Sequence, residues 1–342
     1  MKTIKLTKPP KKILIVKPSS LGDVIHSLPF LNSIKSCFPT AEIHWVISKG
    51  LEGLLEGHPM INRLIIINKD MWKKISRAGE TMKEVRQLFK DLKKENYDMV
   101  IDLQGLLRSG IITKITGAPI RIGFKEAREG SRFFYTHKVE GGKDIHAVDR
   151  YLKIAIFLGC DINNPHFPLP LSFNSSLVTC HSSLPDDYAV IVPGARWATK
   201  RWPAEKFGEL ASRLPMEFLV VGGKSDIDTS NRVVNSSKGN AISLAGKIDI
   251  KELIEIMRNA RFVVGNDSGP MHIAAALKTR VFAIFGPTDP QKTGPYGRSH
   301  IVIKSNLECS PCFKRRCKKH ECMDTITVDM VMEKIEKVVE MT

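Results

Sequence analysis

Val263-Val264-Gly265-Asn266-Asp267-Ser268-Gly269-Pro270-Met271-His272-Ile273-Ala274-Ala275-Ala276-Leu277 reads as a strand, a polar turn and a helix. Phe262 to Val264 are apolar and β-prone, and Gly265 bounds them. Asp267 and Ser268 suit the cap of the helix that follows, and Pro270 fits its first turn. Ala274, Ala275, Ala276 and Leu277 are small or apolar, so this helix can lie close to a sheet. Free N–H groups at a helix start, with Gly269 and a hydroxyl beside them, suit an anion. Asp267 would repel a phosphate unless it acts as a cap or binds a sugar hydroxyl. Taken alone, the segment reads equally well as a capped turn without a ligand.

The same rhythm extends in both directions. Strands are expected at 13–16, 43–47, 64–67 and 99–103, with a short one at 120–124. Helices are expected from the turn after Val16 to about Ser36, and at 81–95, 106–116 and 147–158. Residues 163–185 carry Pro165, Pro168, Pro170, Pro185 and several serines, so the crossing between domains is placed there. Beyond it, strands are expected at 189–192, 218–221, 262–264 and 281–285. Helices should start near Ala204, Asp228, Ile250 and Pro270, and a last one should span 328–339. The alternation predicts an α/β chain of two doubly wound, Rossmann-like domains. Their bounds are set at 1–170 and 171–326, with 327–342 a C-terminal helix offered back to the N-terminal domain. Two such domains imply a central cleft faced by the carboxyl ends of both sheets.

A length of 342 residues accommodates two domains, and a hydrophobic fraction of 42% can fill two cores. No apolar run reaches the length of a membrane-spanning helix. The basic first ten residues are followed by neither a long apolar segment nor a small-residue cleavage site, so a cytosolic protein is expected. The net charge of +16 is uneven: residues 1–150 hold 27 Lys and Arg against 16 Asp and Glu, a net of +11. Such a half suits nucleic acid, a phospholipid surface or an acidic glycan, or is simply a soluble basic surface. No G-x-G-x-x-G follows the first strand, which argues against a dinucleotide oxidoreductase.

Four further turns carry chemistry. Lys17-Pro18-Ser19-Ser20-Leu21-Gly22-Asp23 offers Ser19, Ser20 and Gly22 as small groups and amide donors. Its Asp23 is either a proton acceptor or a first-turn acid favoured by the helix dipole. Pro193-Gly194-Ala195-Arg196-Trp197-Ala198-Thr199-Lys200-Arg201-Trp202-Pro203 brings Arg196, Lys200 and Arg201 to a helix start, which suits a diphosphate or is a solvated basic loop. Gly222-Gly223-Lys224-Ser225-Asp226 lacks the spacer of an NTPase phosphate loop. Phe285-Gly286-Pro287-Thr288-Asp289-Pro290, leading to Thr293-Gly294-Pro295-Tyr296-Gly297, either closes over the cleft or is an ordinary turn.

Four of these segments, in order, resemble glycosyltransferase family nine, the lipopolysaccharide heptosyltransferases. They are Lys17 to Asp23, Asp102-Leu103-Gln104-Gly105-Leu106-Leu107-Arg108-Ser109, Lys200-Arg201-Trp202-Pro203, and Asn266 to Leu277. The ordered set spans nearly the whole chain and is far more specific than any one motif. The N-terminal half is more similar to first-type heptosyltransferases, and parts of the C-terminal half also to the second type. The resemblance implies a GT-B architecture and an inverting, metal-independent transfer from ADP-heptose to Kdo or heptose of the inner core. Asp23 matches the general base and Lys200 the cation that stabilises the leaving diphosphate. Asp267, Ser268, Gly269 and Met271 match the donor turn, with His272 one step on or a core histidine. Asp226 matches an acidic donor contact and Ile248 an apolar contact under adenine. Ala195 and Arg196 replace hydroxyl residues of the first type, so phosphate contacts fall to backbone or guanidinium. Arg128 matches an acceptor position. With Arg132, Trp72, Lys73 and Lys74 it forms a basic acceptor side suited to the anionic Kdo–lipid A type acceptor. Peripheral attachment to the inner face of the inner membrane follows by charge.

Cys37, Cys160 and Cys180 are scattered and read as ordinary thiols. Cys309, Cys312, Cys317 and Cys322 form C-x2-C-x4-C-x4-C around His320, a pattern for reduced thiols ordering a loop or, second to that, for a structural zinc, with an iron–sulfur cluster the lesser metal reading. Two rival functions are a GT-B nucleotide-sugar epimerase and a non-enzymatic nucleotide- or nucleic-acid-binding protein. The cations lack interleaved aromatics or a reading module, so no nucleic acid is expected.

Overall fold

The computed structural model describes residues 3–68, 78–170 and 184–339. The chain divides into two compact units, residues 1–170 and 171–342. In unit 1, β1 (Lys12–Val16), β2 (Glu42–Ser48), β3 (Arg63–Ile67), β4 (Met99–Asp102), β5 (Ile120–Phe124) and β6 (His137–Val139) form one parallel sheet in the order β3-β2-β1-β4-β5-β6. In unit 2, β7 (Tyr188–Val192), β8 (Glu217–Val220), β9 (Ala241–Ser243), β10 (Val263–Asn266), β11 (Val281–Phe285) and β12 (Ile301–Lys304) form another, in the order β12-β11-β10-β7-β8-β9. Counted from each unit's first strand, both orders are 3-2-1-4-5-6, the doubly wound topology. Connections leave strands 1 and 4 in opposite directions and open a crevice at their carboxyl ends. Ile13, Leu14, Ile15 and Val16 are all fully buried, as expected of a parallel strand covered on both faces.

Three strands escape the sequence pattern: β6, β9 and β12. Each is three or four residues long and lies at a sheet edge, too short for a telling apolar run. The helix expected after the first turn is two helices, Leu21–His26 and Leu28–Cys37. Pro29 lacks the N–H to continue the first, and Ser27 Oγ donates to the Val24 carbonyl at 2.7 Å at the break.

In the C-terminal helix Val328–Val339, Val328, Val331 and Ile335 are buried in the core of unit 2 with Phe207, Leu210, Phe282 and Ile303. Trp202 anchors the same region: it is 1% exposed, packs edge-on to Phe207 at 4.8 Å, and donates Nε1–H to the Ile326 carbonyl at 2.9 Å. Cys37 and Cys160, read as unconnected, are joined as a disulfide with Cα atoms 5.3 Å apart. The bridge ties the end of helix Leu28–Cys37 to the residue segment after helix Ala147–Phe157, a juxtaposition across 123 residues that spacing alone does not reveal.

Gly123 in β5 is a close-approach position. A Cβ there would lie 2.3 Å from the ring of Tyr135, whose hydroxyl donates to Asp102 Oδ2 at 2.7 Å. Gly123→Ala should therefore lower stability by about 1–3 kcal/mol. The check is the urea midpoint; an unchanged midpoint would show that the ring is not held against this strand.

Candidate active site

The crevice of unit 1 lies where β1 and β4 end side by side, with Val16 opposite Asp102. Gln104 joins the two loops by accepting the Ser19 N–H at 3.3 Å. Asp102 is buried and structural: it accepts from the Gln104 and Gly105 amides and from Tyr135. Its burial outweighs those hydrogen bonds and holds its carboxyl above the usual carboxylate range.

Ser20 begins helix Leu21–His26, with Gly22 buried in its first turn. Asp23 Oδ2 accepts the Ser20 N–H at 2.9 Å and the Ser20 hydroxyl at 2.7 Å. Asp23 is thus a capping acid that stands at the crevice. Its side chain is 41% exposed. Oδ1 has longer contacts, 3.5 Å from the Tyr151 hydroxyl and 3.9 Å from Lys17 Nζ. Desolvation would raise the carboxyl, but the Lys17 ammonium, Ser20 and His26 outweigh it and hold it at about 2. Arg128 and Arg132 are exposed on the segment after β5; the Arg128 amide donates to the Gly105 carbonyl, and Arg132 stacks on Phe133. Trp72, Lys73 and Lys74 lie outside the described residues.

The crevice of unit 2 lies where β7 and β10 end, Val192 facing Gly265. Asn266 is fully buried and clamps the two exits: Oδ1 accepts the Trp202 N–H at 3.0 Å, and Nδ2 donates to the Pro193 carbonyl at 2.8 Å. Asp267, 5% exposed, accepts from Lys200 Nζ at 2.5 Å and from the Thr288 hydroxyl at 2.6 Å. Lys200 Nζ also lies 4.8 Å from the centre of the Trp197 ring, which Arg315 approaches to 5.0 Å. Arg201 donates to the Ala195 carbonyl and sits 3.8 Å from Asp226. Asp226 in turn accepts the Gly223 N–H, packed where a Cβ on Gly194 would lie 2.7 Å from its carboxyl. Arg196 is exposed in the same loop.

Ser268 begins helix Gly269–Ala276, and among the described residues its Oγ is buried without a hydrogen-bond partner. An orphaned hydroxyl at a helix start is a group a bound anion can satisfy. His272 is 6% exposed, close to the core reading of that residue. Ile248 is partly exposed after β9, and Ile227, which the sequence pattern passes over, is 39% exposed after β8 beside Gly246.

Met271 is 0% exposed, packed in with the rest of this apolar helix. In the cysteine segment Cys309, Cys312 and Cys317 all act on the Cys322 thiol, and among the described residues no group of three His, Cys, Asp or Glu side chains is arranged as a metal shell. Cys309 and Cys317 are exposed, whereas Cys322 is buried against Gly286 with Met323 in the core. The segment buttresses the crevice loops: Thr199 donates to the Lys314 carbonyl, Phe313 to Pro287, and Ser310 to Gly286.

A glycosyltransferase family 9 (heptosyltransferase) model matches residues 85–323. The chain belongs to glycosyltransferase family 9. Lipopolysaccharide heptosyltransferase 1 of Pseudomonas aeruginosa is 32% identical over 323 residues, covering 90% of this chain and 87% of that protein. The family 9 glycosyltransferase of Veillonella parvula superposes with a TM-score of 0.82 at 25% identity, covering 97% and 98% of the two chains. The Escherichia coli heptosyltransferase WaaC with ADP-2-deoxy-2-fluoro heptose superposes with a TM-score of 0.75 at 26% identity, covering 95% and 99%. This family 9 glycosyltransferase therefore has the GT-B architecture that its motifs imply. Gln104, Tyr151 and Thr288 are crevice residues that the motif reading did not single out. Gln104 and Thr288 lie inside quoted segments, and only the third dimension shows what they touch.

Asn266→Leu should cost about 1–3 kcal/mol, because it leaves the buried Trp202 N–H unpaired. The same variant should bind ADP more weakly by calorimetry, since both crevice loops lose their clamp; full affinity with lowered stability would confine Asn266 to the fold.

Proposed function

We propose that this enzyme transfers heptose from ADP-heptose to the Kdo of the lipopolysaccharide inner core, with inversion and without a catalytic metal. The supporting observation is the match of chemistry to fold. A half-exposed carboxylate stands at the crevice of one doubly wound unit, and cations with a ligand-ready helix start stand at that of the other. Unit 1 then takes the acceptor and unit 2 the donor. Asp23 receives the proton of the attacking Kdo hydroxyl as its oxygen bonds to the anomeric carbon. The bond from that carbon to the diphosphate breaks, and ADP leaves with the electron pair. Lys200 stabilises the growing charge, with Arg201, Arg196, Ser268 and the Gly269 amide beside it. For this Lys200 must exchange Asp267 for phosphate, which frees Asp267 toward a sugar hydroxyl. Asp226 and His272 line the donor, and Ile248 with Ile227 gives adenine an apolar seat.

ADP-heptose as donor agrees with the E. coli relative's complex with an ADP-heptose analogue, and a lipopolysaccharide acceptor with the lipopolysaccharide heptosyltransferase 1 name of the Pseudomonas relative. No helix among the described residues is long and apolar enough to cross a membrane. Attachment to an anionic inner leaflet is assigned to the basic surface that includes Arg128 and Arg132.

Incubation with ADP-heptose and Kdo–lipid A should give a product heavier by one heptose residue; free sugar and nucleotide without that product would favour an epimerase-like or hydrolytic reaction. Asp23→Ala should lower turnover by roughly 10²–10⁴-fold with ADP affinity retained. Near-normal turnover in Asp23→Ala would remove it as the base. Activity should persist in excess EDTA, and loss that magnesium restores would overturn the metal-free mechanism.

A further inference from the structure

We propose that Lys17 is a positioning residue for the reaction: its buried ammonium, with the Tyr151 ring and hydroxyl, keeps the Asp23 carboxylate charged and leaves Oδ1 as the oxygen that takes the proton. The inference rests on Asp23 being the base. Lys17 directly follows β1, whose Ile13 to Val16 are fully buried, and is itself 2% exposed. A lysine so placed is costly unless it is paired, and an apolar residue would fill the site more cheaply. Its backbone is fixed, since the Trp45 indole donates to the Lys17 carbonyl at 3.2 Å. Its Nζ lies 3.9 Å from Asp23 Oδ1 and 5.2 Å from the centre of the Tyr151 ring. Tyr151, on helix Ala147–Phe157, is 6% exposed and donates to the same Oδ1 at 3.5 Å.

The two oxygens of Asp23 are thus unlike. Oδ2 is saturated by the amide and hydroxyl of Ser20, whereas Oδ1 has only long contacts on a carboxylate open to solvent. In the transfer, the acceptor O–H bond breaks and its proton goes to Oδ1. The oxygen–carbon bond forms, and the diphosphate leaves with the electron pair. Lys17 gains and loses no proton. It favours the charged carboxylate before the step and return of the proton to water after it. The other charged or titratable groups facing this cluster are His26 on the Asp23 helix, edge-on to His146 at 5.2 Å, Asp102 from β4 acting on Lys17, and Arg150 acting on Tyr151. Of the cations acting on Asp23, Lys17 contributes more than His26, and it stays charged through the neutral range.

The test is the pH profile of kcat/KM for the acceptor, at saturating ADP-heptose, in wild type, Lys17→Met and Lys17→Arg. Loss of the ammonium should move the acid limb of Lys17→Met upward by about one pH unit or more. At equal pH on that limb its activity should then be roughly tenfold below that of wild type, and near neutrality, where both carboxyls are ionised, the difference should vanish. Lys17→Arg should keep a near-wild-type limb, and ADP affinity should be unchanged in both. An unshifted limb in Lys17→Met, or an equal shift in both variants, would overturn the proposal. Should Lys17→Met fail to fold, the carboxyl carbon resonance of Asp23 in the wild-type protein decides: titration below the ordinary aspartate range supports the proposal, and titration at or above it refutes it. Asp23→Asn separates the two claims. If it stays active, the base assignment falls. If it is inactive while the Lys17→Met profile is unmoved, only the role of Lys17 falls.

Discussion

Two neighbouring parallel strands whose connections diverge are the constraint on which this molecule depends. In each unit strands 1 and 4 pair directly, so no chain covers the gap between their exits. The backbone groups at those exits need partners, and side chains from the adjoining loops provide them. Gln104 does so in unit 1 by taking the Ser19 amide, and Asn266 does so in unit 2 by joining Trp202 to Pro193. The family's motifs are largely the sequences that close these gaps, which is why binding chemistry and fold chemistry share residues.

Charge is held at both crevices by the same device. A lysine that would be costly alone is paired with a carboxylate on the helix or turn opposite: Lys17 with Asp23, and Lys200 with Asp267. The two pairs differ in tightness. Lys17 stands 3.9 Å from a carboxylate that is 41% exposed, so the acid is available. Lys200 is in direct contact with a carboxylate 5% exposed and also shared with Thr288, so there the cation is the more exposed partner, at 17%. An available acid suits proton acceptance and an available cation suits an anion, which fits the proposed division between acceptor and donor.

The repeating fold is legible in the sequence because buried parallel strands such as residues 13–16 and 281–285 are continuous apolar runs separated by capped turns. What escapes is what depends on distant partners. The edge strands β6, β9 and β12 are too short to register. The stripe of Val328, Val331 and Ile335 announces a packed helix but not the surface it packs on. Met271 carries a family position, yet its helix buries it completely. The cysteine spacing does not tell that Cys322 is buried in the core while Cys309 and Cys317 are exposed. Asp23 and Lys200 are legible as chemistry because they stand in polar turns directly after strands; their partners Tyr151 and Thr288 are not.

On the proposed mechanism the unit 2 crevice binds the diphosphate by trading the Lys200–Asp267 pair for Lys200–phosphate. A crystal structure of the protein with ADP should then show the β-phosphate at the start of helix Gly269–Ala276, within hydrogen-bond distance of Lys200 Nζ and the Ser268 hydroxyl, with Asp267 released from the lysine. A diphosphate bound elsewhere, with Lys200 still on Asp267 as in the free protein, would contradict it.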